Sequence, residues 1–65
     1  MNSAIRNYLV MYVAVNGPTR TQALVRDTAL HFSVNRHCVS GNLSYVVCRA
    51  NSLSIVKSRN GNFVY

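Results

Sequence analysis

Acidic side chains are almost missing from this chain. Asp27 is its one carboxylate residue, set against seven lysines and arginines, for a formal charge of +6. A single carboxylate excludes paired-carboxylate catalysis and an oxygen-ligand cage for a hard cation, since both need at least two. Long apolar runs are missing too. The longest, Tyr8 to Val15, is under half of the roughly 20 residues a membrane-spanning helix needs, so no membrane partner is expected. Asn16-Gly17-Pro18 ends that run without a signal-peptide cleavage pattern, and a cytoplasmic protein is expected. Cysteine is scarce: Cys38 and Cys48, if both lie on one helix, stand about 15 Å apart along its axis. A disulfide tolerates only about 7 Å between Cα atoms, so free thiols are expected. With His31 and His37 they make no C-x2-C or H-x3-H pair, and neither a metal nor a cofactor is expected. His37 reads instead as a surface or contact residue and the cysteines as small fillers. A Cys–His nucleophile needs a third, orienting group, and none is placed for it, so no enzyme is expected. Repeats, low-complexity tracts and linkers are likewise absent, and the 65 residues leave room for one domain, 1–65.

What is present is a core and a field. Hydrophobic residues make up 49% of the chain, enough for one core containing Ile5, Leu9, Leu24, Phe32, Leu43, Val46, Val47, Ile55 and Phe63. A domain this small buries only about 60% of its unfolded surface, so modest stability is expected, to which a homodimer would add. Six of the seven cations are arginine. Such a field attracts polyanions, and the forked guanidinium suits phosphates and guanine edges. Solubility, attraction to a membrane surface or a ribosomal habitat are the other causes of a basic balance.

Ile5, Tyr8, Leu9, Tyr12 and Val13 follow the spacing of a helix over Ala4 to Val15, with Ser3 as its N-cap and Asn16-Gly17-Pro18 as its stop. Thr19 and Gln22 have the spacing of a capping box, which predicts a second helix from near Arg20 with Ala23, Leu24 and Thr28 turned inward. Leu30 and Phe32 are expected to reach the core. After a cap in Ser33-Val34-Asn35, the residues Val39, Leu43, Val46, Val47 and Ala50 form one apolar stripe on a third helix. Its other side carries His37, Gly41, Ser44, Tyr45 and Cys48, flanked by Arg36, Ser40 and Arg49. Exposed helix faces ordinarily carry salt-bridging charges, and this one has none at its centre. Its short side chains let the helix backbone come close to something. A hairpin ends the chain: Leu53, Ile55 and Lys57 alternate with Ser54 and Val56, and Phe63-Val64-Tyr65 returns. Asn60-Gly61 predicts a type I′ turn between them. Lys57 and Arg59 put two cations beside it.

Three helices and a basic hairpin, in that order, resemble a winged helix-turn-helix domain of the small regulator type. Asn16-Gly17-Pro18-Thr19-Arg20-Thr21 resembles the turn that enters the second helix of such regulators. Val39-Ser40-Gly41-Asn42-Leu43-Ser44-Tyr45-Val46 resembles their recognition helix, and Leu53-Ser54-Ile55-Val56 the strand leading to the wing. The resemblance covers nearly the whole chain and implies an α+β fold, a DNA-binding transcriptional regulator, and double-stranded DNA as partner. Minimal domains of this kind occur in phages and other mobile elements. The resemblance further implies that Arg36, His37, Ser40, Gly41, Ser44 and Tyr45 face the major groove. Lys57, Arg59, Asn60 and Asn62 then lie in the wing, against phosphate or a neighbouring minor groove. Thr19, Arg20 and Thr21 meet the phosphate backbone at the start of the second helix. The Leu30 to Asn35 connection reads as longer or less regular than is usual for the family, and Asn51 stands where many relatives have glycine. Two other readings remain open: a winged-helix adaptor or inhibitor that binds a host protein, favoured by Tyr8, Tyr12, Tyr45 and Tyr65, and an RNA-binding protein.

Overall fold

Ile5, Leu9 and Val13, each four residues after the last, line the buried side of α1 (Asn2–Asn16). The computed structural model describes the backbone of residues 2–65 and the side chains of residues 3–65. Because α1 already runs at Asn2, Ser3 is a helical residue and not the N-cap that its side chain predicts. The other end behaves as its sequence dictates. Gly17 takes φ +75°, its N–H bonds the Val13 carbonyl at 2.8 Å, and Pro18 bars continuation.

Next comes a departure. Thr19 and Arg20 are not the start of a helix; they form a short strand, β1 (Thr19–Arg20), and α2 (Thr21–Phe32) begins after it. No capping box forms, since Arg20 holds the N-cap position without a side-chain hydrogen bond and the Thr19 hydroxyl donates to the Gly17 carbonyl at 2.9 Å. Leu24, Val25, Thr28 and Ala29 are the buried residues of α2. Ser33 closes it in the left-handed conformation (φ 55°, ψ 42°). The Ser33 N–H bonds the Leu30 carbonyl at 3.4 Å and the Val34 N–H bonds that of Ala29 at 3.1 Å, the paired bonds of a Schellman end. The connection to α3 is therefore only residues 33–35, shorter and more regular than the sequence pattern implies. Leu30 lies in the last turn of α2 and is 74% exposed, outside the core, whereas Phe32 packs half-buried against it.

In α3 (Arg36–Cys48), Asn35 is the cap: its Oδ1 accepts from the Cys38 N–H at 2.9 Å. Val39, Asn42, Leu43 and Val46 are buried, and Val47 is half-buried. Ala50, expected on the same stripe, is exposed because α3 has ended before it. Asn51 takes a positive φ of 54°, the conformation glycine would otherwise supply.

The chain closes with β2 (Ile55–Ser58) and β3 (Gly61–Val64), and β3 lies between β1 and β2 in an antiparallel sheet of order β1-β3-β2. Val64 stands opposite both Thr19 and Ile55, so these three share one face. Only the central Val64 is fully buried. Ile55, on the edge strand, is 41% exposed and lies outside the buried core where its hydrophobicity predicts it. Phe63 points to the opposite face, level with Arg20 and Val56, and is half-buried. Leu53 replaces these two as the buried residue of the approach to the hairpin. The turn is also displaced. Ser58 pairs with Gly61, so Arg59 and Asn60 are the turn residues. Asn60 is not among the positive-φ residues, whereas Gly61 has φ +114°, so the Asn60-Gly61 type I′ turn does not form. Ser58 replaces it with its own bonds: the hydroxyl accepts from the Asn60 N–H at 3.3 Å and donates to the Gly61 carbonyl at 2.8 Å.

Among the described residues the fold is thus α+β, three helices and a small three-stranded sheet ending in a hairpin. One cluster joins them, with Ile5 and Leu9 from α1, Leu24 from α2, Val39, Leu43 and Val46 from α3, and Leu53 and Val64 from the hairpin. No helix among the described residues is long and apolar enough to cross a membrane.

Candidate nucleic-acid interface

Burying Val39, Asn42, Leu43 and Val46 forces the opposite arc of α3 outward, because successive residues turn by about 100°. Arg36, His37, Ser40, Gly41, Ser44 and Tyr45 are all exposed there, together with Cys48 and Arg49. The six residues of this helix singled out by sequence therefore occupy one face. A β-carbon built on Gly41 would meet nothing within 4 Å. No internal packing requires a glycine at that position, although in a helix interior it costs about 0.5–1 kcal/mol relative to alanine.

One edge of this face is built by two residues that sequence reasoning passed over. Arg6, on α1, donates from Nε to Asn42 Oδ1 at 3.0 Å, and its Cζ lies 3.7 Å from the centre of the Tyr45 ring. Asn42 is only 6% exposed and donates from Nδ2 to the Cys38 carbonyl at 2.8 Å. The signal was there to read: Asn42 sits three residues after Val39 and four before Val46, a polar side chain on the buried arc that must find a partner.

A second group of candidate residues meets between α2 and the hairpin. Arg20, Thr21, Gln22, Asn60, Gly61 and Asn62 line an open cavity of about 340 Å³. The Thr21 hydroxyl ties the two elements by donating to the Asn62 carbonyl at 3.2 Å. The first turn of α2 holds no acidic residue and its N-cap no side-chain bond, so the positive end of the helix faces this cavity uncompensated. Thr19 does not belong to the group: it is half-buried in β1 and bonded inward to Gly17. Lys57 and Arg59 are exposed on the hairpin, with Lys57 opposite Asn62. A second hollow, of about 320 Å³, lies at the corner of α2 and α3 with Arg26 and Arg36 on its wall.

The electrostatics of all three places follow from composition. Asp27 meets Arg26 at 3.5 Å, and as the chain has no other acidic side chain, the remaining cations have no carboxylate residue to pair with. Asp27 also accepts a hydrogen bond from the Tyr12 phenol at 3.0 Å, and that bond, with burial and the carboxylate's charge, raises the Tyr12 pKa above 10.0. Cys38 and Cys48 are free thiols on one helix, Cys48 exposed. No three His, Cys, Asp or Glu side chains gather into a metal-binding group among the described residues. Against known proteins, no family model, no curated protein and no solved structure matches the chain.

Proposed function

We propose that this protein is a winged helix-turn-helix regulator that binds double-stranded DNA, with α3 in the major groove and the hairpin as a basic wing on the phosphate backbone. The observation that carries the reading is the outward face of α3. It is exposed and free of acid, has a glycine at its centre that no packing explains, and is bordered by Arg36 and Arg49. Ser40, Gly41 and Ser44 let the helix axis approach a groove floor, and Arg36 and His37 supply donors for base edges or phosphate. The cavity at Arg20, Thr21, Asn60 and Asn62 supports a phosphate contact beside it, since helix N–H groups and arginine both favour an anion there. The scarcity of carboxylates adds to this: unpaired cations on one small domain repel each other until a polyanion neutralises them.

A second reading, a protein-binding adaptor, draws on Met11, Val15 and Leu30, which stand 61%, 77% and 74% exposed. Fluorescence anisotropy on a mixed-sequence duplex over a series of salt concentrations separates the two. If about four phosphates are neutralised, log K against log salt falls with a slope near −3.6. Binding indifferent to salt overturns the DNA reading in favour of a protein partner, and displacement by RNA at equal concentration transfers it to RNA.

A further inference from the structure

Among the described residues Arg6 is the only lysine or arginine that is half-buried and not exposed, and it is held from two sides. Its Nε is bonded to the buried Asn42, and its flat guanidinium lies over the Tyr45 ring at 3.7 Å. Asn42 is fixed in turn by its bond to the Cys38 carbonyl. A neutral donor would satisfy Asn42 equally well, so the charge of Arg6 is in excess of what the α1–α3 contact needs. Among the described residues its terminal Nη donors have no hydrogen-bond partner, and the guanidinium lies against the Tyr45 ring, which is 42% exposed on the outward face of α3. A guanidinium held in this way loses little side-chain entropy when it binds, and its remaining donors match a phosphate oxygen pair.

We propose that Arg6 is a phosphate contact and, at the same time, the positioning residue for Tyr45, so that the surface meeting nucleic acid extends from α3 onto α1. This rests on the DNA-binding reading above. With one ring face covered by Arg6, Tyr45 is presented in a fixed orientation toward whatever occupies the groove, and the phosphate held by Arg6 sets the register of α3 along it.

The test compares Arg6→Gln, which keeps a donor for Asn42 without the charge, with Arg6→Lys, which keeps the charge. Both are read for melting temperature and for salt-dependent binding of a mixed-sequence duplex. Arg6→Gln is expected to bind about tenfold more weakly, as the loss of one charged hydrogen bond implies. Its salt slope should be shallower by about 0.9, one phosphate fewer. Arg6→Lys should keep the wild-type slope. A purely structural Arg6 moves the melting temperature and leaves the slope alone; an Arg6→Gln slope equal to wild type, or a slope lost equally in Arg6→Lys, overturns the inference. Should Arg6→Gln fail to fold, the Nε–H resonance of Arg6 in the wild-type protein decides, shifting when duplex is added if the contact exists and staying still if it does not. A wild-type protein with no salt-dependent binding brings down the DNA reading itself, whereas a steep wild-type slope with an unmoved Arg6→Gln slope removes only the role of Arg6.

Discussion

Replacing Gly41 by alanine adds one methyl group to the middle of α3, at a point where, beyond its chain neighbours and the adjacent backbone of its own helix, it meets nothing within 4 Å. The helix interior favours alanine by about 0.5–1 kcal/mol, through the smaller backbone entropy lost on folding. For a domain of this size each kcal/mol moves Tm by roughly 4–8 °C, so the variant should melt about 2–8 °C higher. Circular dichroism during heating reads this directly, and urea titration reads it at constant temperature. The same methyl stands on the surface proposed to enter the groove. There it overpacks a close contact, and duplex binding should weaken about fivefold or more. Stability and binding thus move in opposite directions, which no loss of fold can imitate. A variant that is more stable and binds as tightly as the wild type refutes the reasoning that the glycine serves a partner. One that is less stable refutes the statement that the site is open.

Thr28 is fully buried, and among the described residues its hydroxyl has no hydrogen-bond partner. Thr28→Val keeps the shape and removes the unpaired group, and should raise stability by about 1–3 kcal/mol in urea unfolding; a loss would mean the hydroxyl is bonded after all. Lys57→Ala with Arg59→Ala should weaken binding to all duplexes alike and flatten the salt slope by about 1 per lost contact, leaving the selected site unchanged in a sequencing-based selection. For Tyr12, the raised pKa means that the neutral phenol is the form the fold favours. Its contribution is whole below the ordinary tyrosine value of 10.0 and fades as pH rises through the higher folded value. An absorbance titration should therefore show a phenol ionising above 10.0 that disappears in Tyr12→Phe; its persistence there would assign the shift to another residue.

Local signals carried much of the fold. The buried stripes Ile5-Leu9-Val13 and Val39-Leu43-Val46 are set by helical periodicity within a few turns, and the stop at Gly17 and the N-cap at Asn35 act on their own neighbours. The exposed face of α3 was legible for the same reason: a helix whose buried arc is known has its outward arc known too. Pairings across the chain were not legible. Two residues are too few for a strand pattern, and Thr19 and Arg20 become one only because Val64 and Phe63, at the far end of the sequence, lie beside them. Their local spacing to Gln22 favoured a cap, and tertiary pairing overrode it. Ile55 and Val64 are both strand-forming and face the same way, yet the order β1-β3-β2 leaves only the central one covered. At the interface, the cavity joining Arg20 to Asn62 and the bond from Arg6 to Asn42, 36 residues away, depend on which elements pack together. Hydrophobic pattern and charge are properties a segment carries with it. Which arginine stands beside which asparagine was decided only when the three helices closed on the hairpin.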